Sequence, residues 1–151
     1  MYVVFQPVSS SPGSIAGVLT IADNATGGPH TIPLSGQAIT ASQQVTASQT
    51  TVNFGTQAAG STSNPQVIYI ADQGQAEFSI VGVTLTGSNA SDFQLSSGCF
   101  AGEFISSFSS CTIQVTFAPA LGETGTRTAT ITESDSSPGS PHIITVTGTA
   151  K

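Results

Sequence analysis

The sequence predicts an all-β chain, a sandwich or small barrel of short antiparallel strands, on three observations. Its apolar residues alternate with period two and are mostly β-branched or aromatic, the pattern of half-buried strands. Clusters of Gly, Ser, Asn, Asp and Pro interrupt these runs at short intervals, as turns between strands do. Only 7% of the 151 residues are charged, against about 25% in ordinary soluble domains. That removes the Glu, Lys and Arg that solvate the outer face of helices. No stretch carries a convincing helical period, and residues 88–93 hold at most one irregular turn.

Along the chain, the first 40 residues offer Val3, Phe5, Leu19, Ile21, Ile32 and Leu34 on three short strands. Seven further strands are expected near 50–54, 65–71, 77–85, 91–95, 111–118, 126–133 and 141–149. They are carried by alternating runs such as Val52-Asn53-Phe54, Val67-Ile68-Tyr69-Ile70, Ile113-Gln114-Val115-Thr116-Phe117 and Ile143-Ile144-Thr145-Val146. Turns fall at Ala58-Ala59-Gly60-Ser61, Asp72-Gln73-Gly74, Gly87-Ser88-Asn89 and Ser136-Ser137-Pro138-Gly139.

An internal repeat organises these elements. A shift of 112 positions lays Phe5-Gln6-Pro7 on Phe117-Ala118-Pro119, Gly13 on Gly125 and Asp23 on Asp135. The same shift lays Pro29-His30 on Pro141-His142 and Gly36-Gln37-Ala38 on Gly148-Thr149-Ala150, with no gap. Residues 1–40 therefore read as a copy of the last three strands of a repeat, and 41–151 as one complete seven-strand repeat. The four strands that would precede the partial copy are absent from this sequence.

The ordered set Val52-Asn53-Phe54-Gly55, Asn89-Ala90-Ser91-Asp92-Phe93, Cys99, Ser110-Cys111-Thr112-Ile113, Val115, Phe117-Ala118-Pro119, Gly125 and Gly148-Thr149-Ala150 resembles the bacterial repeats of choice-of-anchor D proteins. Those repeats are similar to the immunoglobulin-like modules of the abnormal-spindle and hydin (ASH) class. That class in turn is similar to major sperm protein and periplasmic pilus chaperone domains. The resemblance implies an immunoglobulin-like antiparallel β-sandwich of about seven strands, tandem arrays on secreted or surface proteins, a bridged Cys pair and no catalytic residues. One departure is that the first copy starts inside a strand, at Met1-Tyr2-Val3-Val4-Phe5.

Composition excludes several functions. One Arg and one Lys, Arg127 and Lys151, cannot neutralise a nucleic-acid backbone or an anionic membrane. No run reaches the 18 or so apolar residues of a membrane span, and residues 1–10 lack the basic start of a signal peptide. At 38% hydrophobic the chain is too apolar for disorder, and Ser and Thr, more than a quarter of the residues, must solvate its surface. Cys99 and Cys111 lie far from both histidines, which argues for a disulfide over a metal site. The loop it closes makes it worth about 3 kcal/mol. Disulfides persist in oxidising space, so an extracellular or cell-surface location is expected.

Candidate chemistry is sparse. His30 and His142 occupy equivalent positions after prolines, which reads as a repeated structural need at the start of a strand. Asp23 and Asp135 also match, and read as turn carboxylates accepting backbone N–H groups. No Ser/His/Asp constellation, calcium loop or phosphate cradle is legible, so no catalytic residue, metal or cofactor is expected. The loop between the cysteines carries Phe100, Phe104, Ile105 and Phe108. It either folds back over the end of the sandwich or forms a contact surface for a neighbour.

Three strands cannot bury their apolar faces alone, so the partial copy needs a cover. The expected partners are neighbouring modules or copies of the same protein. The function expected is a non-enzymatic spacer, scaffold or adhesive module. A filament built by strand-edge addition is the alternative, and a glycan-binding adhesin, with no Trp and only Tyr2 and Tyr69 to stack sugars, is the weaker one.

Overall fold

The computed structural model describes residues 2–7, 12–24 and 26–151, which divide into two units, Met1–Ala41 and Ser42–Lys151. The first unit holds β1 (Gly13–Ile21) and β2 (His30–Ala38). The second holds β3 (Val45–Ala47), β4 (Thr51–Gln57), β5 (Gln66–Asp72), β6 (Phe78–Thr86), β7 (Phe93–Ser97), β8 (Phe104–Ile105), β9 (Ser110–Phe117), β10 (Gly125–Asp135) and β11 (His142–Ala150). A single 3-10 turn at Ala90–Asp92 is the helical element among the described residues.

The second unit is an immunoglobulin-like sandwich. One sheet has the order β4-β11-β10-β6-β8 and the other β3-β5-β9-β7. Period-two alternation turns Ile68 and Ile70 of β5 and Ile113, Val115 and Phe117 of β9 towards Ala129 and Ile131 of β10 and Ile144 and Val146 of β11. All of these are at most 1% exposed. Phe54 reaches across to Phe93 and Phe117, with ring centroids 6.1 and 6.0 Å away, and Phe93 lies 5.0 Å from Phe117. These tilted rings fill the space between the two sheets.

Two short strands, β3 and β8, add to the seven expected ones, and one pairing departs from the antiparallel expectation. β4 runs parallel to β11, whereas β3, just before it in sequence, pairs antiparallel with β5 in the other sheet. The chain crosses between sheets at residues 48–50, with a backbone hydrogen bond to each sheet at either end of the crossing. The Ser48 amide donates to the Tyr69 carbonyl at 2.8 Å, and the Thr145 amide to the Thr50 carbonyl at 2.9 Å. Gly55, at φ +67°, sits opposite the bulge between Thr147 and Thr149, and its amide donates to Asn53 Oδ1 at 2.8 Å. A side chain would be strained there.

The first unit repeats the last hairpin of the second. β1 and β2 pair from Gly13↔Ala38 to Ile21↔His30, matching Gly125↔Ala150 to Glu133↔His142. Each second strand follows a cis X-Pro bond, Gly28-Pro29 and Ser140-Pro141. In both copies an aromatic ring lies on a glycine. A Cβ on Gly36 would stand 2.6 Å from the Phe5 ring, and one on Gly148 2.5 Å from the Phe117 ring. A third strand was expected in the partial copy, but the described residues 2–7 form none. The physical reason is visible in the complete unit, where the matching strand β9 is held between β5 and β7. Among its described residues the first unit has no counterpart of either.

Candidate functional site

A buried polar cluster lies at the end of the β10–β11 hairpin. Along β10 the inward positions run Ala129, Ile131, Glu133 and Asp135, so alternation carries two carboxylates onto the core face. Cross-strand register sets His142 directly opposite Glu133, and a bulge at Ser134/Asp135 realigns Asp135 with Ile80 of β6. His142 Nε2 stands 3.2 Å from Asp135 Oδ2. One donor atom from each of Glu133, Asp135 and His142 lies within 4.8 Å of the others. Asp135 Oδ1 accepts the Ser137 amide at 2.6 Å, and the Asp135 amide donates to Ser140 Oγ at 2.8 Å.

Glu133 is fully buried, and neither of its carboxylate oxygens has a hydrogen-bond partner. Loss of water, reinforced by the neighbouring Asp135 charge, pushes its pKa from the ordinary 4.5 up to about 8. Sequence reasoning singled out Asp135 and His142 but missed Glu133. A signal was present: Glu133 follows Ala129 and Ile131 in strict alternation and replaces Ile21 of the other copy. In the first unit His30 Nε2 and Asp23 Oδ2 are 3.6 Å apart and largely solvent-facing.

Asp72, Asp92 and Glu123 have structural partners. Asp72 Oδ1 accepts the amides of Gly74 at 2.7 Å and Gln44 at 3.3 Å. Arg127 is ion-paired with Glu123 and, at 3.6 Å, with Asp92.

Cys99 and Cys111 form a disulfide. Of the four apolar residues in that loop, Ile105 is corrected from a contact residue to a core one, 5% exposed. The cause is β8, whose pairing Phe78↔Ile105 and Ser79↔Phe104 turns Ile105 inward and Phe104 outward. Phe100, Phe104 and Phe108 stay exposed.

In the first unit Val3, Phe5, Ile21 and Ile32 are exposed, and Leu19 and Leu34 half-buried. A groove of about 350 Å³ runs along this face past Val3, Phe5, Ile15 and Leu34. A smaller groove of about 250 Å³ on the second unit is lined by Gln94, Gln114 and Thr116, among others, and by no aromatic ring.

No family model matches the chain, and no curated protein matches it. Solved structures do. A protein of unknown function from Porphyromonas gingivalis W83 covers 95% of this chain and 68% of its own, with TM-score 0.55 and 17% identity. The ASH/PapD-like domain 7 of human CEP192 covers 73% and 87%, with TM-score 0.51 and 16% identity. The VesB protease of Vibrio cholerae covers 72% of this chain, with TM-score 0.52 and 18% identity, but the match takes in only 32% of the protease. At these identities the likeness is one of fold, an immunoglobulin-like fold of ASH type.

Proposed function

We propose that the chain is a non-enzymatic, immunoglobulin-like spacer or scaffold module of a secreted or cell-surface repeat protein of the choice-of-anchor D kind. The observation that carries this reading is the duplicated hairpin. Two copies at an offset of 112 residues keep one register, one Pro-His strand start and one ring-on-glycine contact. Such duplication is what stacked modules produce. The Cys99–Cys111 disulfide supports an oxidising location. The likeness to VesB attaches to about a third of that protease, and its activity is not carried over.

The open apolar face of the first unit favours a second reading, a filament subunit that recruits the next copy by edge addition. Light scattering and electron microscopy at working concentration separate the two. Dispersed particles are expected for the spacer, and fibres overturn it. The double change Phe104→Ser and Phe108→Ser tests the disulfide loop as a contact surface, which is excluded if association is unchanged. Glycan binding is not favoured, because the groove on the second unit is lined by no aromatic ring and half-exposed Tyr69 is not part of its lining.

A further inference from the structure

We propose that Glu133, Asp135 and His142 bind one divalent first-row transition ion, zinc by donor preference, at the end of the β10–β11 hairpin. The three residues come from two neighbouring strands and converge from the core side, with their donor atoms within 4.8 Å of one another. Four buried atoms on these three side chains carry the argument. Both Glu133 oxygens, Asp135 Oδ2 and His142 Nε2 are buried without a hydrogen-bond partner. Once Glu133 and Asp135 are both ionised their oxygens only accept hydrogen bonds, so in that state neither carboxylate can satisfy the other. A positive ion satisfies all three side chains at once.

The spacing suits a small ion. Two ligands held about 2.0 Å from a tetrahedral centre stand about 3.3 Å apart, and His142 Nε2 and Asp135 Oδ2 are already 3.2 Å apart. Binding requires the Glu133 carboxylate to close the remaining separation, from within 4.8 Å. Asp135 is oriented by the Ser137 amide on its other oxygen, the kind of outer support that fixes a metal ligand. One imidazole and two carboxylates form a mixed N/O set, which suits zinc and its neighbours. Calcium, with its need for six or more oxygens, is a poor fit. The His142 side chain is 14% exposed, the least enclosed of the three. The first unit supplies an internal control, since Ile21 stands where Glu133 does and leaves only Asp23 and His30 as donors.

The test uses the full chain without tag histidines, stripped with chelator and titrated with Zn²⁺, Ca²⁺ or Mg²⁺ by calorimetry, with thermal unfolding in parallel. One Zn²⁺ per chain and a raised Tm are expected, with Ca²⁺ and Mg²⁺ silent. Glu133→Ile, the residue found in the first unit, replaces a buried acid by an apolar side chain and is expected to keep the fold and lose stoichiometric binding. His142→Gln is a second variant, read by loss of the visible bands of bound Co²⁺. His30→Ala is expected to bind as the parent does. Absence of Zn²⁺ binding by the parent overturns the proposal. So does unchanged binding by folded Glu133→Ile or His142→Gln, or loss of binding in His30→Ala.

Discussion

The two hairpins of this chain share residues and register but not surroundings. Phe117, Ile131, Ile144 and Val146 in the complete unit are fully buried, whereas of their counterparts Phe5 and Ile32 are about half-exposed and Leu19 and Leu34 half-buried. The difference teaches that period-two alternation marks which side chains want a cover without supplying one. In the complete unit the β3-β5-β9-β7 sheet, to which Phe117 itself belongs, covers Ile131, Ile144 and Val146. In the first unit the same face lines an open groove.

Phe117→Ala against Phe5→Ala breaks or sharpens this comparison most. Truncating a fully buried Phe costs about 3–5 kcal/mol, so Phe117→Ala should lower the urea midpoint steeply. Phe5→Ala should cost less than about 1 kcal/mol. Equal losses would mean that the first unit's face is covered in solution.

The next effect concerns Glu133, measured in chelator so that no ion intervenes. Its pKa in the folded chain, about 8, lies above the ordinary 4.5, so the folded state holds the extra proton between those values. Stability from this group is therefore fully present below about pH 4.5 and is lost as pH rises through about 8, by on the order of a few kcal/mol. Thermal unfolding across that window should show the decline in the parent and a flatter profile in Glu133→Ile. A parent profile that rises with pH would reverse the sign and remove the buried neutral acid from the account.

A smaller contrast lies at the paired glycines. Gly148→Ala sets a Cβ against the Phe117 ring, which is enclosed and cannot swing away. Overpacking of this kind costs about 1–3 kcal/mol. Gly36→Ala meets Phe5, whose half-exposed ring can turn into solvent, and a negligible loss is expected. Similar losses for both variants, read from unfolding midpoints, would show Phe5 to be as confined as Phe117.

Much of the architecture is legible before any coordinates. The alternating runs mark the strands, and the repeat pairs Phe5 with Phe117, Pro29-His30 with Pro141-His142 and Gly36 with Gly148. Ile105 was not legible as a core residue, because its direction depends on a two-residue pairing with β6 across a disulfide-closed loop. The parallel partnership of β4 and β11 was hidden as well, since nothing local in Val52-Asn53-Phe54 names a partner some 90 residues away. At the polar cluster the repeat marks Asp135 and His142, whereas Glu133 has Ile21 as its counterpart and carries no such mark.

By itself, then, the order of residues determines an all-β chain, the face each side chain takes along its strand, and the duplication of the terminal hairpin. These are local properties, set by backbone sterics, side-chain alternation and turn chemistry. Tertiary structure decides which sheet receives each strand, and it brings Glu133 across from His142 beside Asp135. Those outcomes depend on pairings between distant segments, where burial of the shared apolar face selects one register among many that the local pattern permits.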